Sequence, residues 1–184
     1  MNSKTVTKKI ATTAIMAALT FVATVFISVP YGGGAGYFNL SDAIILFSTI
    51  FFGPTVGICS GIIGTVLGDI AVGYAIFAPA TLFAKGLEAV LCFVIFYLLR
   101  KTKYTKYVSI FVAPIIMVTV YFITNCILNE LNYALISLGF DCVQWLAGSI
   151  IGFVLVNVFE RTPIEHFSWS DFNLFKKKES LLVK

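Results

Sequence analysis

The chain has 184 residues, 59% of them hydrophobic and 12% charged, with a mean hydropathy of +0.94 and a formal net charge of +4. A soluble domain of this length carries about a quarter of its residues as charges, so the composition excludes a water-soluble fold and makes a bilayer the natural solvent. The positive balance is no nucleic-acid signal either, because 12 of the 13 basic residues cluster before the first apolar run, in one short loop, or after the last run, which the positive-inside rule assigns to one cytoplasmic side.

Residues 1–9 are polar and basic, with Lys4, Lys8 and Lys9. Residues 10–29 form the first apolar run, close to the 20 or so that a span requires. With further apolar segments behind it, this run reads as a retained helix and not a cleaved leader. Ala14 and Ala18 lie four apart on one face of it. Small residues at that spacing admit a close neighbour, either another protein or a helix of the same chain. Pro30 ends the run, and YGGGAGYFN follows, with four glycines in residues 32–36. Such a backbone is free to fold over a ligand as an outer lid, or to serve as a plain connection. No GKS or GKT follows it, so it is not a phosphate-binding loop.

Residues 40–52 make a short second helix. Asp42 near its start faces a ligand or, like Ser41, caps the helix. Gly53-Pro54 turns the chain, and Pro54 suits a first helical turn. The third helix carries Gly57, Gly61, Gly64 and Gly68 on one stripe, a signature of close helix packing. Asp69 at its far end is a ligand contact or a helix-end acceptor. An outer loop over 73–79 holds Tyr74 and Phe77. The fourth helix, 80–99, carries Lys85 about 9 Å inside it at 1.5 Å per residue, with Glu88 three positions on. A charge inside a span costs about 2.5–3.5 kcal/mol on insertion scales, which makes both functional suspects. They form a mutually satisfied pair, or Lys85 presents its ammonium to a polar ligand in a cavity; the second reading is preferred.

RKTKYTKY is a cytoplasmic loop. Residues 107–127 form the fifth helix, with Pro114 as a kink and Tyr121, Thr124 and Asn125 toward the outer end. NELNYALISLG returns outside with Asn129, Glu130, Asn132 and Tyr133. The sixth helix, 140–159, has Asp141, Gln144 and Trp145 in its first two turns. Trp145 suits an interfacial belt, whereas a buried Gln144 needs hydrogen-bond partners. The division expected is a six-helix membrane domain over 1–162, with both termini cytoplasmic, and a basic tail over 163–184 that carries His166, the one histidine.

No catalytic set emerges. The histidine lies at the wrong face to serve as a base, no His/Cys cluster suggests a metal, and Cys59, Cys92, Cys126 and Cys142 have no metal-ligand spacing. A disulfide between Cys126 and Cys142 is not favoured. No Walker A sequence is present, so ATP is not hydrolysed here by the usual route. The positive finding is positional. Tyr37, Asn39, Asp42, Asp69, Tyr74, Lys85, Tyr121, Asn125, Asn129 and Gln144 gather at the outer helix ends. Aromatic faces mixed with amide, ammonium and carboxylate groups suit a small flat polar heterocycle.

With those residues assembled, the chain resembles the substrate-binding S component of an energy-coupling factor (ECF) vitamin transporter. The resemblance covers roughly residues 8–160 and rests on the six-helix pattern, on Ala14-Ile-Met-Ala-Ala18 as an AxxxA motif, and on two longer stretches. These are GYFNLSDAIILF at 36–47 and GYAIFAPATLFAKGLEA at 73–89, which look like the subgroup handling hydroxymethylpyrimidine or pyridoxine-type compounds. The resemblance implies a non-enzymatic, all-α, multi-pass protein of the bacterial cell membrane that needs no cofactor of its own. It would bind a vitamin or precursor at the outer side, with the 31–39 loop gating. It would dock through Ala14 and Ala18 on a transmembrane coupling subunit carrying two ATPases, and topple in the membrane to release substrate. The alternative is a stand-alone ion-coupled transporter with Asp69, Lys85 and Glu88 in a proton path. The lack of an obvious inverted repeat and the small number of spans argue against it.

Overall fold

The structure, a computed structural model, describes residues 3–32 and 36–161, so the tail expected over 163–184 lies outside the described residues. In chain order the elements are α1 (Ser3–Val25), strands β1 (Val29–Tyr31) and β2 (Gly36–Phe38), α2 (Ser41–Phe52), α3 (Pro54–Ala71), a 3-10 turn (Ala75–Phe77), α4 (Ala78–Leu98), α5 (Thr105–Val112), α6 (Ile115–Leu128) and α7 (Leu131–Arg161). Five helical segments are long and apolar enough to cross a membrane, with α5 and α6 counting as one; α2 is a shorter apolar helix. At 12 residues α2 rises about 18 Å, less than the roughly 30 Å hydrocarbon core, so it depends on its neighbours for lipid-free surroundings. Ten of its residues are buried.

The chain reverses between α2 and α3 in a single residue. Gly53 takes φ +93°, which a side chain resists, and Pro54 follows at the start of α3, where its missing N–H goes unnoticed. The glycine stripe of α3 then meets two different helices. A methyl at Gly57 would lie 2.7 Å from Cα of Thr49 on α2, and one at Gly64 would lie 2.6 Å from the carbonyl oxygen of Ala17 on α1. Against Gly64 and Gly68, α1 sets Thr20 and Thr24. Both hydroxyls donate back to their own helix, at 2.8 Å to Met16 O and Thr20 O, which leaves their methyl sides for the glycine notches.

Pro114 divides the fifth span. It has no N–H for the carbonyl of Ile110, and α7 fills the gap: Ser149 Oγ donates to Ile110 O at 3.0 Å, and Trp145 Nε1 to Phe111 O at 2.8 Å. Trp145 is therefore a helix-joint clasp, where the sequence suggested an interfacial belt residue.

Three expectations change. The first helix stops at Val25, not at 29, because 29–31 pair with 36–38 as an antiparallel hairpin with Pro30 opposite Tyr37. The segment read as a returning loop is helical from Leu131, and the reversal is confined to Asn129–Glu130, where Glu130 has φ +139°. Neither Ser41 nor Asp42 caps α2. Asn39 does that work, its Oδ1 accepting Ser41 N–H at 3.0 Å and Ser41 Oγ–H at 2.6 Å.

The interior is sorted along the bundle. Met16, Phe47, Phe51, Val56, Phe96, Ile110 and Val156 form an apolar core in the half away from the hairpin. The half beneath the hairpin buries Asn39, Asp42, Asp69, Thr81, Lys85, Asn125, Ser137, Asp141 and Gln144. A buried polar group costs free energy unless it is hydrogen-bonded, so this second half is where a ligand site belongs.

Candidate substrate-binding site

Two helices carry the polar half, each on one face. On α4 the sequence Thr81, Lys85, Glu88 runs at intervals of four and three; on α7 Ser137, Asp141 and Gln144 do the same, with Gly148 continuing the stripe. All are buried. Gly148 lets α2 come close, since a methyl there would lie 2.7 Å from Asp42 Cβ.

At the base, Lys85 Nζ donates to Asp42 Oδ1 and lies 3.8 Å from Glu88 Oε2. All three side chains are fully buried, so two carboxylates flank one ammonium. Asp42 Oδ2 accepts from Gln144 Nε2 at 2.8 Å, and Gln144 Oε1 in turn accepts the backbone N–H of Asn39 at 3.0 Å. Glu88, α4, α2, α7 and the foot of the hairpin are thus joined by one polar chain. Lys85 also sits 5.7 Å from the centroid of the Tyr121 ring.

Above that base is a cleft of about 340 Å³, counted out to its mouth. Its walls are Tyr31, Gly36, Tyr37 and Asn39 from the hairpin side, Asp69 from α3, Phe77 and Thr81 beside α4, Tyr121 and Asn125 from α6, and Asp141 from α7. The wall groups are cross-linked. Tyr31 OH donates to Asp141 Oδ1 at 3.2 Å and lies 3.2 Å from Ser137 Oγ, while its ring stacks on Phe140 at 4.4 Å. Ser137 Oγ donates to Asp141 Oδ2 at 2.7 Å and accepts from Asn125 Nδ2 at 2.9 Å. Thr81 and Tyr121 hydroxyls pair at 3.0 Å. Tyr37 OH donates to Asp69 Oδ1. Burial, reinforced by the neighbouring carboxylates Asp141 and Asp69, holds the Tyr31 and Tyr37 hydroxyls above their ordinary range. They stay protonated and remain donors. Asp69 Oδ2 is different: it is buried and has no hydrogen-bond partner among the described residues.

Of the residues singled out from sequence, Tyr37, Asn39, Asp69, Tyr121 and Asn125 line the cleft. Asp42, Lys85 and Gln144 are brought together behind its wall. Tyr74 packs on the outside of Tyr37, ring centroids 5.0 Å apart, and Asn129 donates to Asn125 Oδ1 at 2.7 Å from the rim. The ammonium of Lys85, expected to meet a ligand, is instead closed over by Asp42. Tyr31, Thr81, Ser137 and Asp141 were not singled out as site residues. The i, i+4, i+7 spacing of polar residues in otherwise apolar α4 and α7 was the available signal. On α7 that signal is hidden because the stretch holding Ser137 reads as a loop in the sequence. Ala14 and Ala18 face away from all of this, exposed on α1 among Ile10, Ile15, Leu19 and Val22. They take no part in the chain's own core. All four cysteines are free, and no cluster with metal-holding composition occurs among the described residues.

The family model described as ECF-type riboflavin transporter, S component matches residues 4–161. The chain belongs to this family of ECF S components. It is therefore a multi-pass membrane protein of a transport family, not an enzyme, and family membership implies a vitamin-type substrate and an ECF module as partner. A solved S component of a bacterial ECF transporter superposes with a TM-score of 0.63 at 23% identity, covering 84% of this chain and 95% of the other, which shows the shared fold. Among curated proteins, an uncharacterised protein of Pyrococcus woesei is 32% identical over 132 residues, 71% of this S component and 87% of the relative. The thiamine precursor transporter HmpT of Lactococcus lactis subsp. cremoris is 28% identical over 165 residues, 89% and 94% of the two chains.

Proposed function

We propose that this S component captures a single-ring nitrogen heterocycle of the hydroxymethylpyrimidine kind in the cleft beneath the hairpin, with the hairpin end facing outward. The chain then crosses the membrane six times and both termini are cytoplasmic. Lys8, Lys9, Arg100, Lys101, Lys103, Lys106 and Arg161 all belong to the helix ends and loops away from the hairpin, which supports that orientation.

The observation that carries the ligand reading is the cleft itself. The cleft is narrow, and its walls alternate aromatic faces with hydroxyl, amide and carboxylate groups. One ring with polar substituents suits that space better than the three fused rings and polyol chain of riboflavin, although riboflavin gives the family model its name. The name of the Lactococcus relative points the same way. Pyridoxine is of similar size and is the second candidate. Purified protein titrated with hydroxymethylpyrimidine, pyridoxine, thiamine and riboflavin should bind hydroxymethylpyrimidine with submicromolar affinity. Riboflavin as the tightest ligand, or no ligand among the four, would reject the reading.

Release inward rests on a partner module, a transmembrane coupling subunit with two ATPases, docked on the exposed face of α1. Ala14→Trp or Ala18→Trp should abolish uptake in cells that carry the module, while binding by the purified chain stays within about twofold, since neither side chain is in the core. Loss of binding in both variants would place the alanines in the fold instead. Uptake by proteoliposomes holding this chain alone would favour the ion-coupled alternative.

A further inference from the structure

We infer that the cleft takes its ligand as a cation and that Asp69 is the residue that receives the positive group. This rests on the proposed reading of the cleft as the substrate site, and narrows the substrate to an organic base bound in its protonated form.

Three buried side-chain oxygens in this half lack a hydrogen-bond partner among the described residues, both of Glu88 and Oδ2 of Asp69, and of the two residues only Asp69 lines the cleft. Asp69 is 3% exposed and lines the cleft; its Oδ1 accepts from Tyr37, and its Oδ2 is buried with no hydrogen-bond partner among the described residues. The Thr81 hydroxyl lies beside Asp69 as a neutral neighbour and also pairs with that of Tyr121. A buried carboxylate oxygen in this state is costly, and a donor brought by the ligand removes the cost.

Charge then decides between a neutral and a positive donor. Four carboxylates, Asp42, Asp69, Glu88 and Asp141, are buried in this half of the bundle, and Lys85 is the single buried cation among the described residues. Lys85 is committed to Asp42, with Glu88 on its other side. Asp141 has both oxygens occupied, by Tyr31 and Ser137, through neutral donors. The groups in contact with Asp69 are hydroxyls, and the charge of Lys85, which also reaches it, is shared with Asp42 and Glu88. An N–H⁺ donor supplies both a hydrogen bond and a charge, and charge-assisted hydrogen bonds are roughly twice as strong as neutral ones. The aromatic walls, Tyr31, Tyr37, Phe77 and Tyr121, add ring faces that attract an organic cation and would not favour an anion.

The test uses a pair of matched probes on the purified full chain: 4-aminopyridine, a cation at pH 7, and aniline, which has nearly the same shape and is neutral. Each is titrated calorimetrically and in competition with the tightest vitamin. Wild-type protein should prefer 4-aminopyridine by about 10- to 100-fold, and Asp69→Asn should reduce that preference to about threefold or less. Equal binding of the two probes by the wild type, which would make Asp69 a neutral acid, overturns the inference. So does a preference that survives Asp69→Asn, and so does failure of both probes to bind. The wild-type comparison stands even where the variant does not fold. Should hydroxymethylpyrimidine fail to bind while the cation preference holds, the vitamin assignment falls and the charge assignment remains.

Discussion

Replacing Lys85 with methionine is expected to destabilise the protein by about 3–5 kcal/mol, because it leaves a buried carboxylate without its counter-charge. The ammonium is fully buried, donates to Asp42 and lies 3.8 Å from Glu88, so no water compensates its loss. The loss shrinks once the acids are removed as well. Asp42→Asn retains an oxygen for Gln144, and Glu88→Gln removes the second charge; in the triple variant most of the lost stability should return. Thermal melting of the wild type, Lys85→Met and the triple variant in detergent checks this. A Lys85→Met protein that melts like the wild type would mean that the triad is not a closed charge cluster. Because Lys85 lies behind the cleft wall, the triple variant should still bind ligand, which separates a structural role for this lysine from a ligand contact.

The second large effect is expected at Gly64. A valine there would drive its Cβ to 2.6 Å from the Ala17 carbonyl oxygen and 2.6 Å from Thr20 Cβ. The first of these is backbone, so no rotamer change on α1 relieves it. Overpacking commonly costs 1–3 kcal/mol, and a rigid backbone obstacle puts this case at about 3 kcal/mol. Gly139→Val is the control, since nothing lies within 4 Å of its added methyl. Melting in detergent should fall sharply for Gly64→Val and hold for Gly139→Val. Equal behaviour of the two would refute the close α1–α3 contact.

How much of this was legible beforehand follows from which signals are local. The spans are runs of hydrophobic residues, and Gly53-Pro54 and Pro114 announce their own breaks, so the order of helices could be read. Partners could not. Nothing near Pro114 in the chain says that Ser149 and Trp145 supply the donors its joint lacks. Lys85 drew notice as a charge in a span, and its neighbour at i+3 was the pairing in view. The dominant partner, Asp42, is 43 residues away on another helix and was read as a cap or ligand contact. The hairpin was missed because glycines over 32–36 carry no alternating pattern, and its short strands are defined by pairing alone. Asp141 does not group with the site from sequence, since its partners Tyr31 and Ser137 lie in stretches that read as loops.

The two sides of α1 lead separate lives. One side locks its threonines into the notches of α3; the other, with Ala14 and Ala18, looks outward, and neither contributes a wall to the cleft. Mutational drift in α4, α6 and α7 is thereby free to reshape the cleft, while the outward ridge of α1 stays as it is. Cargo and outer contour can vary apart from one another.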